Sequence, residues 1–201
     1  MSKVVITSKT RMSNGYCVGG YDVSDGKFIR LLKNNGSNQG YDTQFKVGEL
    51  WRLRYEPRQN VTPPHIEDVM VTKQIYIRSI TNLSDYIQRR IRPYGGGITG
   101  LFNNTLGFTS NGSPYVNGSK GLPVNSVGFW LLPIELEMVQ TENGRVRYKL
   151  KGTNYEIPYV GLQLAVSSIP AGTLVRVSLA RWWSPIEDFE KRCYAQLSGW
   201  Y

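Results

Sequence analysis

The chain holds a single histidine, His65, and two cysteines, Cys17 and Cys193, among 201 residues. That scarcity excludes zinc tetrads, His/Cys clusters and a disulfide framework, so no metal or other cofactor is expected. No apolar run is long enough to span a membrane. The opening stretch Met1–Lys9 lacks the apolar core of a secretory signal, which with sparse cysteine sets the expectation of a reducing cytoplasm. Acidic residues are also under-represented: 15 Asp and Glu stand against 24 Lys and Arg, a net charge of +9. With 40% hydrophobic residues the chain is too apolar for disorder, and its length suits one large domain or two small ones.

The basic excess is local. Residues 1–92 carry 15 Lys and Arg against 8 acids, a net of +7. Residues 93–128 carry Lys120 and no acid, and residues 129–201 carry 8 Lys and Arg against 7 acids. A polyanion site is therefore expected in the first part.

Composition divides the chain in the same way. Residues 93–128 contain nine Gly and five Asn, including Gly95, Gly96 and Gly97, with Tyr94, Phe102, Phe108 and Tyr115 spaced through them. This stretch is read as a long connection between two β-rich parts, 1–92 and 129–201, each the size of a small OB-like barrel.

In the first part, strands are expected near 3–8, 15–23, 27–33, 47–56 and 69–80, with a hairpin signal at Asp25-Gly26. Trp51, Leu53 and Tyr55 alternate with Arg52 and Arg54, so the arginines face solvent. A helix is expected over 83–91, with Leu83, Tyr86, Ile87 and Ile91 on one stripe and Pro93 ending it. In the last part, strands are expected near 127–140, 145–151, 155–161, 172–182 and 192–198. Sidedness selects a three-residue loop, Glu142-Asn143-Gly144, for the first hairpin there. That register sets Met138 opposite Tyr148, Leu136 opposite Leu150, Glu137 opposite Lys149 and Glu135 opposite Lys151, partly neutralising the basic face of Arg145, Arg147, Lys149 and Lys151. The fold class is all-β with one short helix.

Catalytic motifs are sparse. His65 sits in Pro63-Pro64-His65-Ile66-Glu67-Asp68, but local spacing brings no nucleophile to it, and a turn histidine is the expectation. The Gly95 run lacks the Lys-Ser/Thr of a phosphate loop. Basic groups are better candidates. Arg52, Arg54 and Arg58 are expected along one strand face, Arg89, Arg90 and Arg92 at a helix end, and Arg30 after the first hairpin, all able to contact phosphates. Of the adjacent pair Trp182 and Trp183, one should enter the core and the other face solvent, where a base can stack.

Three stretches together resemble the bacterial dual OB-domain family. They are Asn14-Gly15-Tyr16-Cys17-Val18-Gly19-Gly20-Tyr21-Asp22 with Gly26-Lys27-Phe28-Ile29-Arg30, then His65-Ile66-Glu67-Asp68, and Arg192-Cys193-Tyr194-Ala195-Gln196-Leu197-Ser198-Gly199-Trp200-Tyr201. Phe28 stands where the family pattern has Trp, and Leu31 where it has Pro. The resemblance implies two OB-like barrels, nucleic-acid binding, and a setting beside bacterial defence and mobile-element genes. It also implies a first-barrel site of Cys17, Arg30, His65, Glu67 and Asp68, with Cys193, Gln196 and Gly199 as closing-strand elements.

The resulting expectation is a non-catalytic nucleic-acid-binding protein, with DNA or RNA as partner. The alternatives are an interaction module in a multi-component defence complex, and an enzyme or ligand sensor whose pocket holds Cys17, His65, Glu67 and Asp68.

Overall fold

The computed structural model describes residues 1–140, 144–187 and 189–201. The chain divides into two compact units, Met1–Arg92 and Pro93–Tyr201. Among the described residues no helix is long and apolar enough to cross a membrane.

The first unit is a closed barrel of β1 (Ser2–Met12), β2 (Gly15–Asp22), β3 (Lys27–Leu32), β4 (Glu49–Pro57) and β5 (Asp68–Ser79), in the order β1-β2-β3-β5-β4. All pairings are antiparallel except β3 with β5. This is the strand order of an OB barrel. Period-two patterning builds it: Val4, Ile6, Val18, Ile29, Leu31, Trp51 and Leu53 point inward, and Phe45 closes on Trp51 with ring centroids 5.0 Å apart. Gly26 takes the left-handed conformation in the β2–β3 hairpin.

The helix α1 (Leu83–Gln88) is shorter than the expected 83–91. Asn82 caps it by accepting from the Asp85 amide, and Ile91 follows in a turn bonded to the Ile87 carbonyl. Leu83, Tyr86 and Ile91 cover a second apolar patch, Val5, Tyr21 and Leu50, on the outside of the barrel.

The second unit follows the same order. Its strands are β6 (Gly107–Phe108), β7 (Pro114–Val116), β8 (Val127–Leu131), β9 (Leu136–Gln140), β10 (Val146–Leu150), β11 (Glu156–Pro158), β12 (Ser168–Ile169), β13 (Leu174–Leu179) and β14 (Cys193–Trp200). One sheet runs β11-β10-β9-β12 and the other β6-β7-β14-β13-β8. A parallel bridge between Tyr159 and Leu197 joins them just past β11. Read with β8 and β9 as one strand broken at 132–135, the order matches that of the first unit.

The register of β9 with β10 is Met138 to Tyr148, Glu137 to Lys149 and Leu136 to Leu150. Lys151 reaches Glu135 at 2.8 Å and Glu137 at 3.3 Å. The expected turn at 142–144 falls partly on residues outside those described.

The segment 93–128 differs from the expected connection. It belongs to the second unit, supplies β6 and β7, and buries Ile98, Leu101, Phe102, Leu106 and Val116 in that unit's core. Its apolar residues come from turns and very short strands, so they carry no period. The glycines permit close packing: a Cβ on Gly112 would lie 1.9 Å from the Asn154 carbonyl oxygen.

Candidate nucleic-acid interface

Two of the expected first-unit arginines behave as the alternation requires. Arg52 and Arg54 are exposed while Trp51 and Leu53 are buried. Pairing brings other cations to them: Arg52 stands opposite Lys3 on β1, and Arg54 opposite Lys73 on β5. Directly paired residues share a face, and adjacent strands lie about 4.8 Å apart. Lys3, Arg52, Arg54 and Lys73 therefore form one basic row on the outer surface. Among the described residues none of the four makes an ion pair; Glu56, two residues beyond Arg54, pairs with none of them. Lys3 and Lys73 escaped sequence reading because non-local pairing places them there.

Arg58 departs from the expected row. It lies past the end of β4, where its amide donates to the Asp68 carbonyl at 2.9 Å and its Nη1 sits 3.7 Å from Asp68 Oδ2. Arg30 is also committed. Its Nε and Nη2 donate to the two carboxylate oxygens of Asp68, each at 2.6 Å. Burial opposes the Arg30 charge, yet its hydrogen bond to Asp68 and its interaction with Cys17 leave the pKa raised. The Arg30 amide donates to the Glu67 carbonyl at 2.7 Å, stitching β3 to the β4–β5 loop.

Cys17, Arg30 and Asp68 thus meet on β2, β3 and β5. His65 and Glu67, both buried, lie on the loop leading to Asp68. His65 follows the cis Pro63-Pro64 peptide and donates its amide to the Thr62 carbonyl at 3.0 Å, as a turn residue. Among the described residues no group of three His, Cys, Asp or Glu is placed to hold a metal ion.

At the helix end, Arg89, Arg90 and Arg92 are exposed. Arg90 lies 3.7 Å over the Tyr86 ring and donates to the Tyr86 carbonyl at 3.0 Å, so its planar face is occupied.

In the second unit, Trp182 packs against the core while Trp183 is 55% exposed. Sequence reading missed the companions of Trp183. Its backbone exchanges hydrogen bonds with Arg192 at 3.0 and 2.9 Å, its ring lies 6.2 Å from that of Tyr194, and Tyr194 pairs with Tyr115 across β14 and β7. Two of the closing-strand elements, Cys193 and Gly199, are packed within the second unit. Cys193 is fully buried, and burial pushes its thiol up to about 12. Gly199 lies against Gln163, whose side chain bonds the Trp200 backbone in both directions.

A family model for a dual OB-containing domain matches residues 2–200. No curated protein matches. A solved structure described as a murine DNA-binding protein bound with double-stranded DNA shares 12% identity, covering 98% of this chain and 92% of that one at a TM-score of 0.31.

Proposed function

The chain belongs to the dual OB-containing domain family, and from that premise we propose that it is a non-catalytic nucleic-acid-binding protein whose first unit contacts the phosphates. The observation that carries this reading is the row Lys3, Arg52, Arg54 and Lys73. Four cations gathered on three paired strands without ionic partners repel one another, and a polyanion relieves that repulsion. Arg58, with its side chain 45% exposed, and the exposed Arg89 and Arg92 extend the contact. Arg30 acts indirectly, by fixing Asp68 and through it the loop that bears Arg58. A bacterial defence or mobile-element setting, with a protein partner in a multi-component complex, is a further proposal resting on the family resemblance alone.

The test is a titration of labelled single- and double-stranded DNA and RNA at two ionic strengths. Affinity should fall roughly a hundredfold between about 50 and 200 mM salt if four phosphates are neutralised. Binding indifferent to salt would overturn the reading.

One observation favours a second reading, a small-ligand sensor. Cys17, Arg30, His65, Glu67 and Asp68 come from three strands and one loop of the same barrel, and the last three are buried. Loss of function in His65→Ala, with nucleic-acid affinity intact, would promote that reading.

A further inference from the structure

We infer that the outer face of the β7–β14 pair is a stacking platform for unpaired nucleobases, which makes single strands the preferred ligand. This rests on the nucleic-acid reading above and goes beyond it in naming a second subsite and the form of nucleic acid it takes.

Register places the rings. Tyr194 stands directly opposite Tyr115, and Trp183 directly opposite Arg192. Opposed residues share a face, as do Arg192 and Tyr194 two positions apart on one strand. Cys193 and Val116, which alternate with them, are fully buried. Trp183, Arg192, Tyr194 and Tyr115 therefore emerge on one side. The Tyr115 ring packs against Gly107 on β6, where a Cβ would come within 3.0 Å of it, so the β6 backbone buttresses Tyr115 from that side.

The face is also held in place. Arg192 lies 4.1 Å over the Tyr115 ring and bonds Glu190 at 2.9 Å, and Glu190 accepts from Asn117 at 2.5 Å. Tyr115 and Tyr194 are 6.0 Å apart between centroids. The Arg192 guanidinium is taken up by Tyr115 and, at 5.1 Å, by the Phe189 ring, so it braces the face. The solvent-exposed Trp183 beside Tyr194 offers the stacking surface that the π-face of any base can meet.

Charge here is balanced, so stacking and not phosphate attraction carries the contact. The sequence between Trp183 and Arg192 holds Glu187, Asp188 and Glu190 against Lys191, Arg192 neutralises Glu190, and 93–128 brings no acid. The charged residue of that segment, Lys120, is anchored to the Leu106 carbonyl at 2.9 Å, next to Gly107. Bases in a duplex are already stacked, so a platform of this kind selects unpaired ones.

The experiment compares the full chain with Trp183→Ala, Tyr194→Ala and Trp183→Phe on oligo-dT and oligo-U of about 12 nucleotides and on a duplex of the same length. Each alanine variant should lose about tenfold in single-strand affinity, with the salt slope and duplex affinity unchanged, and Trp183→Phe should keep most of the affinity. Single-strand binding should quench tryptophan fluorescence, less so in Trp183→Ala. Unchanged single-strand affinity in both alanine variants overturns the platform and leaves the first-unit reading standing. An equal loss on duplex overturns it too, as does a Trp183→Ala change in oligomeric state with single-strand affinity intact, which would assign the face to a second copy. No nucleic-acid binding by the unaltered chain overturns both readings.

Discussion

Asp68 and Arg30 face each other across the parallel β3–β5 pairing and form a two-pronged ion pair, with both prongs at 2.6 Å. The planar fork of the guanidinium matches the carboxylate, and the Asp68 side chain is only 4% exposed. The pair sits on the parallel β3–β5 junction, one of the two, with β1–β4, that no connection between sequential strands sets.

Removing one partner should therefore cost more than removing both. Asp68→Asn leaves Arg30 without its counter-charge and should destabilise the first unit by about 3 kcal/mol. Arg30→Met combined with Asp68→Leu should cost less than the sum of the single changes. Urea unfolding of the two single variants and the double variant measures the coupling.

The basic row makes a separable prediction. Arg52→Ala with Arg54→Ala should reduce the magnitude of the salt slope of binding by about 1 for each cation removed. Both residues are exposed and lack ion pairs, so the unfolding midpoint should stay nearly constant. Lys73→Ala should behave in the same way. Its contribution is a direct check on the β4–β5 register.

Backbone shape is critical at one turn. Gly15 has φ +122°, and a Cβ there would lie 2.1 Å from the Gln39 carbonyl oxygen, which accepts the Tyr16 amide at 2.7 Å. Gly15→Ala should lower stability by more than about 1 kcal/mol, read as a lower denaturant midpoint with an unchanged slope.

Alkaline pH should weaken both units. Burial, then the hydrogen bond and charge of Asp22, push the Tyr55 phenol from 10.0 up to about 12. The folded chain keeps a proton that the unfolded chain releases, so this stabilisation is complete below pH 10 and is lost as pH rises towards about 12. Burial raises Cys193 from 9.0 to about 12, giving a window that opens one unit earlier. Unfolding measured across these windows should show falling stability, and Tyr55→Phe should flatten the later part.

Local patterns were legible in the sequence where a two-residue period or a sidedness rule applied. Trp51, Arg52, Leu53 and Arg54 declared their faces, and Leu136, Met138, Tyr148 and Leu150 declared a register. Long-range pairing was not legible. Only the family resemblance grouped Arg30 with Asp68, 38 positions away; no local pattern announces their ion pair, and nothing near Arg54 announces Lys73. Strands of two or three residues, such as β6 and β7, are too short to show a period, so Tyr115 read as a loop aromatic. Trp183 was found as half of an adjacent pair, whereas its partners Arg192 and Tyr194 lay unnoticed within a resemblance motif.

The position of β14 has a consequence for how the molecule is assembled during synthesis. That strand pairs with β13 on one edge and with β7 on the other, and Leu197 bridges to Tyr159 beyond β11. Until residues 193–200 emerge from the ribosome, those three partners have no common neighbour and their backbone edges stay unsatisfied. The nascent second unit is therefore most exposed to mispairing just before its final strand arrives. Slow translation or chaperone capture at that point should govern its yield.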